Sequence, residues 1–448
     1  MAPRIRKAHQ VEGSDIGALR KRLCFWMEMR TGKTLTAIDS VKKSESWPLL
    51  VVCPKGLFGV WESEFKLDGA DMDEVQVIKG SVAVKKRMIS NPKAINIVNY
   101  DILEPYDILN RYPWGSVIFD ESIKLANMTA KVTLYCLDWA QFEGKKAEAV
   151  FMLSGSPASE GPFQLISQLF ICTGEICGYK DWQKYLYSEW RYDRYQYKWK
   201  PKTRAVTKTL QKYSEDHAYI KTAEDVGASF NVFQRKVYVP ASRWMEKRIR
   251  HLYDSNTYIP FDDPSAVLYH TPLTRGQHEQ QICAGMEPET KKIMDNTTYH
   301  AIRDYVVDLG QPVFIYSALR RTVIDHMAET LRAKGIKVGI VVGGPENVKS
   351  SEKALADFKA GRIDVIIGQQ MKIKMGHDLS RASSIIALTN SFSNDDRIQV
   401  TARCSNLEKT ADSELLDFVH EELFDDNIVD VLEKKESVSS KYMEVRFG

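Results

Sequence analysis

The tripeptide Gly32-Lys33-Thr34 combines three features that hold a nucleotide phosphate. At the start of a helix, backbone amides can face phosphate oxygens, a lysine ammonium can pair with the β- and γ-phosphates, and a threonine hydroxyl can ligate Mg²⁺. The strict phosphate-loop pattern has another glycine six residues before the lysine, and this chain has Met27 there. The tripeptide therefore indicates a nucleotide site only if the surrounding elements agree.

Two acidic residues, Asp120 and Glu121, follow the apolar run "VIF". A carboxylate at the end of a buried strand can hold Mg²⁺, and its neighbour can orient or deprotonate an attacking water. An acidic turn after a strand is also a common structural feature. The Gly-Lys-Thr that precedes the pair by about 87 residues favours the catalytic interpretation.

Gln399 and Arg403 lie four residues apart in "DDRIQVTARCSN", a spacing that places both on one face of a helix. One interpretation is purely structural: a solvent-exposed helix in which the arginine has no functional role. The functional interpretation is an arginine finger that reaches the γ-phosphate and stabilises charge during hydrolysis. The segment "LSGSP" (153–157) consists of small, turn-forming residues, and its hydroxyls could couple nucleotide binding to polymer binding.

Short apolar runs precede the polar clusters. Runs of four to six apolar residues indicate strands of a parallel sheet buried on both faces, and alternation with helical stretches indicates a doubly wound α/β domain. Such sheets bind ligands beyond the carboxyl ends of their strands, so the clusters are expected at one edge. The runs in the first half are 23–27, 49–53, 95–100, 116–119 and 150–153.

The second half of the chain repeats this pattern, with predicted strands at 312–317, 362–368 and 383–388 and an amphipathic helix over 318–335. A chain of 448 residues is longer than one core usually supports. We therefore expect two domains, residues 1–260 with a protrusion over about 160–260, and residues 261–448.

Composition excludes several classes of protein. The 44% hydrophobic and 27% charged residues are those of an ordinary soluble protein, and a net charge of +3 means that any nucleic-acid face must come from local clustering. The seven cysteines are scattered without a zinc-type set, which favours free intracellular thiols. Without a signal peptide or an apolar run near ~18 residues, a cytosolic protein with no membrane contact is expected.

The segment 179–204, "YKDWQKYLYSEWRYDRYQYKWKPKTR", contains nine aromatic, eight basic and three acidic residues. Basic residues interleaved with aromatic ones suit phosphate contact and base stacking, with Arg194, Lys198, Lys200 and Lys202 as the candidates. The alternation in "YQYKWK", followed by proline, predicts a hairpin. The alternative is a protrusion whose aromatic side chains pack on the domain.

Taken in order, the motifs resemble those of Swi/Snf-type DNA translocases of helicase superfamily two. The front motifs are "HQ" (9–10), "MRTGKT", "VVCPKGLFGVWESEF" (51–65), "VIFDESIKLAN" (117–127) and "LSGSP"; the rear ones are "VFIYS", "GQQMKIKMGHDLSRASSIIAL" (368–388) and "SFSNDDRIQVTAR". Residues 415–435 look like the closing helices of the family. The resemblance implies an α/β fold of two RecA-like, doubly wound parallel-sheet lobes, with an ATP cleft between them and a helical or hairpin protrusion.

The resemblance also implies roles for individual residues. Gln10 would read adenine, the loop of Arg30, Thr31, Gly32, Lys33 and Thr34 would hold ATP, and Thr34 and Asp120 would hold Mg²⁺. Glu121 would act on the attacking water, and Gln399 and Arg403 would face ATP from the second lobe. The residues implied on the nucleic-acid track are Pro54, Lys55, Ser317, Gly376 and Ser391.

This chain departs from the family pattern at three places. Arg30 and Thr31 stand where the family has a glycine before Gly-Lys-Thr, and Ile123 replaces the histidine of Asp-Glu-x-His. Asn406 stands at the position of the family's second arginine. An arginine finger contributes about 10³-fold or more to turnover, so Asn406 predicts slow hydrolysis unless Lys409 substitutes.

The function expected from the sequence is an ATP- and Mg²⁺-dependent motor that tracks on DNA, with the duplex favoured. The alternatives are a strand-separating or branch-migrating helicase, and a nucleic-acid-binding protein with a weakened ATPase. The compact length favours a phage or prokaryotic motor in the cytoplasm of the host cell. We expect it to be a monomer that a protein partner directs.

Overall fold

The computed structural model describes residues 5–29, 31–141, 147–159, 161–194, 198–227, 232–259, 266–319, 321–373, 377–404 and 412–444. The chain divides into two compact units, the first formed by Met1–Gly227 and Val438–Gly448 and the second by Ala228–Ser437. Each unit is built on its own parallel sheet. Within the described ranges, no helix is both long and apolar enough to cross a membrane.

Each of the five apolar runs predicted in the first unit overlaps a strand. The strands of this unit are β1 (Arg22–Met27), β2 (Leu49–Val52), β3 (Val75–Val77), β4 (Ile95–Val98), β5 (Ser116–Asp120), β6 (Ala149–Ser154), β7 (Trp190–Asp193), β8 (Lys198–Pro201) and β9 (Ala218–Lys221). Seven of these strands pair in parallel in the order β3-β4-β2-β5-β6-β1-β9.

Helices connect these strands and cover both faces of the sheet. They are α1 (Ala8–Arg20), α2 (Lys33–Ser44), α3 (Phe58–Leu67), α4 (Val82–Ser90), α5 (Ile108–Arg111), α6 (Lys131–Gln141), α7 (Leu165–Thr173), α8 (Trp182–Glu189) and α9 (Arg204–His217). Alternate residues of β1 enter different cores: Phe25 packs in one with Ile38 of α2, and Trp26 packs in the other with Leu169 of α7. The predicted doubly wound arrangement is therefore confirmed.

The predicted hairpin is formed by β7 and β8, which pair antiparallel from Trp190↔Pro201 to Asp193↔Lys198. The two strands follow α8 and precede α9, and Trp190 is buried in one of the cores of the first unit. The hairpin is thus anchored by an aromatic side chain at its base.

The second unit is an α/β unit of the same kind. Its strands are β10 (Val232–Tyr238), β11 (Thr257–Tyr258), β12 (Leu268–Tyr269), β13 (Val313–Ser317), β14 (Val338–Val341), β15 (Val365–Gln369), β16 (Ser384–Thr389) and β17 (Ser413–Val419). Six of them form a parallel sheet in the order β10-β17-β16-β13-β15-β14, and β11 and β12 form a small antiparallel pair. The expectation of closing helices over 415–435 is wrong for residues 415–419, which belong to the buried strand β17; the helix begins only at Phe424.

The helices of the second unit also cover two faces of their sheet, since Ile315 and Phe314 of β13 lie in different cores. They are α10 (Arg243–Asp254), α11 (Pro272–Cys283), α12 (Thr297–Leu309), α13 (Arg321–Arg332), α14 (Val348–Lys359), α15 (Gln370–Ile373), α16 (Asn394–Thr401) and α17 (Phe424–Glu444).

The division between the units falls after Gly227, earlier than the boundary expected near residue 260. The cause is β10, which pairs along its whole length with β17 of the second sheet. Because β10 is an edge strand with exposed and half-buried residues, it lacks the kind of apolar run from which buried strands were predicted. The polar sequence "VFQRKVY" therefore concealed the first strand of the second unit.

Candidate nucleotide site

The Gly-Lys-Thr segment forms the junction between β1 and α2. Met27 is the last residue of β1 and is fully buried, so the glycine of the strict pattern would fall inside the strand. Gly32 caps α2 with a φ of 94°, in the left-handed region that favours glycine. The amides of Lys33 and Thr34 are therefore in the first turn of a 12-residue helix, where unsatisfied N–H groups attract anions.

The loop before Gly32 is closed by hydrogen bonds to one carbonyl. The Thr31 hydroxyl donates to Glu28 O at 2.7 Å, and Lys33 Nζ lies 3.4 Å from the same oxygen. Thr31, one of the departures from the family pattern, thus holds the loop in place of a glycine turn. Arg30 lies outside the described residues.

The "HQ" motif packs directly on this loop, because α1 lies against α2. His9 Nε2 is 2.7 Å from Thr31 O, and Gln10 Oε1 accepts the Lys7 amide at 2.9 Å. A Cβ on Gly32 would lie 1.9 Å from Gln10 Nε2, so only glycine leaves room for this side chain. Gln10 is placed beside the phosphate loop, and its role with adenine stays a prediction.

The acidic pair lies at the end of β5, two strands away from β1 in the sheet: Asp120 is the last residue of the strand, and Glu121 follows it. Asp120 is buried; its Oδ2 accepts Trp61 Nε1 at 2.8 Å and its Oδ1 accepts the Glu121 amide at 2.9 Å. Glu121 has a φ of 52°, an uncommon conformation for a residue with a side chain and one that clusters at functional sites. Burial and the Asp120 carboxylate raise the pKa of the neighbouring Cys53 thiol.

Parallel pairing brings these segments to one edge of the first sheet. Strands β1, β6, β5 and β2 are successive neighbours, and all run in the same direction. The loop after β6 carries Gly155, where a Cβ would lie 3.4 Å from Lys33 Nζ. The phosphate loop, "LSGSP" and the acidic pair therefore share the edge that the sequence predicted.

One further residue at this edge was not predicted. Burial raises the pKa of Glu28, whose Oε2 accepts the Ala223 amide at 2.5 Å. Its interaction with Lys33 acts in the opposite direction and favours the charged carboxylate. Its signal in the sequence was an acidic residue directly after the apolar run 23–27.

Pro54 and Lys55 follow β2 at the same edge. Pro54 precedes a short 3₁₀ turn, Lys55–Leu57, and the ammonium of Lys55 pairs with Asp101 at 2.8 Å. Both charged side chains are about 70% exposed, at 68% and 72%, so this ion pair is weak and leaves Lys55 accessible to solvent.

In the second unit, Ser317 is the last residue of β13, and Ser391 follows the neighbouring strand β16. Ser317 is fully buried, and its Oγ lies 2.8 Å from Thr389 Oγ1 and accepts the Leu319 amide at 3.1 Å. The hydroxyl of Ser317 is thus engaged inside the unit, whereas Ser391 is half-buried. Gly376 lies outside the described residues.

Gln399 and Arg403 are near each other in sequence but lie in different elements. Gln399 is in α16 and donates from Nε2 to Asp395 Oδ2 at 2.9 Å. Arg403 is half-buried in a 3₁₀ turn, Ala402–Cys404, that follows the helix. Burial lowers the pKa of His377, and the Arg403 charge adds to this effect. Asn406 and Lys409 lie outside the described residues.

Arg397, a fully buried residue of α16, was not predicted from the sequence. Its guanidinium donates to both oxygens of Asp417, at 2.8 and 2.6 Å, and to Asn390 Oδ1 at 2.9 Å. Gln234 Oε1 accepts a further bond at 3.1 Å. The signal was Asp417, a charged residue inside the apolar run "LLDFV", which requires a partner when buried.

The hairpin matches the packed-protrusion alternative for its aromatic residues. Trp199 stacks on Phe163 with 5.9 Å between ring centroids, and Trp190 contacts the same ring edge-on at 5.3 Å. Two of the candidate cations bond within the unit: Lys200 pairs with Asp193 at 2.7 Å, and Lys202 Nζ donates to Tyr187 O at 2.7 Å.

The other two candidate cations are Arg194 and Lys198, and only the side chain of Arg194 is described. Arg194 is exposed and directly follows β7, and the side chain of Lys198 lies outside the described residues. Of the described cations in this set, Arg194 and Lys202 are exposed, and Lys202 is engaged by the Tyr187 carbonyl.

Comparison with known proteins shows which family this chain resembles. The model of the "SNF2-related domain" matches residues 23–255. A Caenorhabditis elegans homologue of SWI/SNF-related matrix-associated actin-dependent regulator of chromatin subfamily A-like protein 1 is 31% identical over 150 residues, 33% of this chain and 21% of the relative. The human DNA annealing helicase and endonuclease ZRANB3 is 29% identical over 150 residues, 32% of this chain and 13% of the relative.

The chain spans about a fifth or less of the length of these curated relatives, which are animal proteins. The expected phage or prokaryotic origin therefore stays a prediction. A solved structure, the Sulfolobus solfataricus SWI2/SNF2 ATPase core in complex with dsDNA, aligns with 99% of this chain and 95% of that one at 15% identity, with a TM-score of 0.47.

The family model covers just over half of the 448 residues and includes the phosphate loop, the acidic pair and the hairpin. The resemblance to Swi/Snf-type motors is thereby confirmed, and the chain belongs to the SNF2-related family.

Proposed function

We propose that the chain is an ATP-dependent motor that hydrolyses ATP with Mg²⁺ and moves along duplex DNA. The observation that supports this most strongly is the shared sheet edge, where Lys33, Asp120 and Glu121 lie in a unit of the SNF2-related family. A cation, a buried carboxylate and a second carboxylate beside a helix N-terminus form a set that phosphoryl transfer to water requires.

The residues at this edge fit ATP and Mg²⁺. The Thr34 hydroxyl and the Asp120 carboxylate are the hard oxygen donors that Mg²⁺ prefers, and the first-turn amides of α2 suit phosphate oxygens. When bound, Mg²⁺ would neutralise charge that develops on the transferred phosphoryl group. Trp61 and the Glu121 amide hold the two oxygens of Asp120, so its orientation is set before any ligand binds.

Each remaining residue has a proposed task. Lys33 pairs with the β- and γ-phosphates, and Glu121, presented by its left-handed backbone, orients and deprotonates the attacking water. Gln10, beside Gly32, binds adenine. Gln399 and Arg403 act on the γ-phosphate. Asp395 restrains the amide of Gln399, so its side chain is already ordered.

DNA is proposed as the track because the family match includes Pro54 and Lys55 and because a curated relative is named a DNA annealing helicase. That name also keeps a second candidate, a strand-separating or branch-migrating helicase. A third candidate, a nucleic-acid-binding protein with a weakened ATPase, rests on Arg30 and Asn406. We further propose that the chain is a cytoplasmic monomer directed by a protein partner. Light scattering on the full chain would test the monomeric state.

The decisive experiment measures ATP turnover without polymer and with single-stranded DNA, duplex DNA or RNA. The proposal predicts the largest stimulation by duplex DNA and its loss in Lys33→Ala. Lys43→Ala is the matched control, since Lys43 lies in the same helix but pairs with Asp15 away from the loop. Equal turnover in the wild-type chain and in Lys33→Ala would remove the enzyme assignment.

Two further assays separate the motors from each other. Displacement of a third strand from a triplex, without separation of the duplex, identifies a translocase. Separation or re-pairing of duplex strands identifies a helicase. ATP-independent DNA binding with no polymer-stimulated phosphate release would favour the weakened ATPase.

A further inference from the structure

Three side chains of the second unit, from elements distant in sequence, meet at the start of α17. Cys283 ends α11, His420 directly follows β17, and Asp425 is in the first turn of α17. One ligand atom of each lies within 4.8 Å of the other two. Cys283 and His420 are buried, and the Asp425 side chain is 17% exposed. The cluster belongs to none of the sites described above.

We propose that Cys283, His420 and Asp425 bind one zinc-class divalent cation. Thiolate, imidazole and carboxylate are the donors that Zn²⁺ takes in proteins, and three protein ligands with a fourth position left for water is an established coordination. Independently of any activity of the first unit, such an ion would tie the C-terminal helix α17 to α11 and to the second sheet.

The distances allow this coordination with small movements. Tetrahedral Zn²⁺ with bonds of about 2.3 Å to sulfur and 2.0 Å to nitrogen or oxygen places its ligand atoms about 3.3 to 3.6 Å apart. His420 Nδ1 and Asp425 Oδ2 are 2.8 Å apart, and the largest ligand separation is below 4.8 Å. Side-chain rotations that move the ligand atoms by about 1 Å would therefore bring them to the spacing of tetrahedral Zn²⁺.

The surroundings provide the outer contacts that metal ligands usually have. Thr298 Oγ1 lies 3.2 Å from His420 Nε2 and can accept a hydrogen bond from Nε2–H, which leaves Nδ1 to face the ion. The Phe424 and Asp425 amides donate to the Cys283 sulfur. Hydrogen bonds of this kind stabilise a thiolate at a helix N-terminus.

Charge favours a cation at this place. The Asp425 carboxylate lies beside the buried Cys283 thiol. Glu279 is a second nearby carboxylate. Cation binding releases the thiol proton to solvent and leaves one proton on the imidazole, at Nε2, because a coordinating thiol is deprotonated.

The test uses the full chain, dialysed against a chelator and then titrated with Zn²⁺ or Co²⁺. We expect one equivalent of Zn²⁺ per chain by elemental analysis and a thiolate-to-cobalt absorption band with Co²⁺. Cys283→Ser should lose the band and the stoichiometric binding, and Thr298→Val should weaken Zn²⁺ by about 10- to 100-fold, as an outer contact does. Cys136→Ser, a buried cysteine of α6 in the first unit, is the matched control.

The wild-type result alone can overturn the proposal, even if Cys283→Ser does not fold. Less than a tenth of an equivalent of Zn²⁺, or Co²⁺ without the thiolate band, would mean that the cluster is only a hydrogen-bonded core. Equal binding by Cys283→Ser and Cys136→Ser, with both folded by circular dichroism, would mean that the metal is adventitious and bound elsewhere.

Discussion

Arg397 and Asp417 form an ion pair that is closed to solvent: Nη2 lies 2.6 Å from Oδ2, and the two side chains are 2% and 1% exposed. The pair joins α16, which carries Gln399, to strand β17, the neighbour of the edge strand β10. Tyr316 and Asn390 complete the network through a 2.6 Å hydrogen bond from the Tyr316 hydroxyl. Gln399 and Arg403 are therefore carried by a segment that is fixed to its sheet by a charged contact.

Arg397→Met should destabilise the second unit by about 3–5 kcal/mol, because it leaves the Asp417 carboxylate buried without its counter-charge. The measurement is urea-induced unfolding. Arg362→Met is the control, since Arg362 pairs with Asp357 at 2.6 Å but is 62% exposed, and such pairs contribute about 0–1 kcal/mol. Similar losses of unfolding free energy in the two variants would show that the buried ion pair contributes no more to stability than the exposed one.

His278 should make stability depend on pH. Burial and the nearby His270 lower the pKa of His278 to about 4. The remaining charges that act on it are Lys291, Arg248 and Glu287. Between pH 6.5 and 4 the imidazole is protonated in the unfolded chain but neutral in the folded one. This contribution to the free energy of unfolding is therefore present above pH 6.5 and is lost as the pH falls towards 4.

His278→Phe keeps the edge-on ring contact with Tyr258, at 4.7 Å in the native chain, and removes the titration. The urea midpoint of this variant should fall less between pH 7 and pH 4.5 than that of the wild-type chain. The exposed His251, replaced by glutamine, should leave the pH dependence unchanged. A wild-type slope in His278→Phe would assign the titration to other groups.

Much of the fold could be predicted because buried strands of parallel sheets have apolar sequences. The runs 23–27, 49–53 and 116–119 became β1, β2 and β5, and their polar ends met at one edge. Edge strands do not carry this signal. β9 and β10 are partly exposed and were missed, and with β10 the start of the second unit was placed too late.

The site was predicted where the signal is local and was missed where it depends on tertiary contact. Glu121 follows its strand directly, as its sequence position indicates. The packing of Gln10 on Gly32 depends on how α1 lies on α2. Arg397 and Asp417 are 20 residues apart, so nothing in the local pattern pairs them. α16 ends at Thr401, which separates Arg403 from the helix face shared with Gln399.

Glu121→Gln should bind ATP with unchanged affinity and turn it over about 10² to 10⁴ times more slowly, because the amide cannot take the proton of the attacking water. Nucleotide affinity by calorimetry and phosphate release report the two effects separately. Glu104→Gln, an exposed carboxylate of the same unit, is the control. Wild-type phosphate release in Glu121→Gln would exclude Glu121 as the base.

The hairpin cations should contribute to DNA affinity through phosphates. Replacing Arg194, Lys198, Lys200 and Lys202 with glutamine should lower the slope of log affinity against log salt by roughly one for each phosphate that the protein no longer neutralises. Because Lys200 and Lys202 already bond within the unit, we expect Arg194→Gln alone to give most of the effect of the described cations. The charge-matched control replaces Lys79, Lys85, Lys86 and Arg87, near and in α4. An unchanged slope in the hairpin variant, with its Trp199–Phe163 stacking intact, would show that β7 and β8 serve only as a packed protrusion.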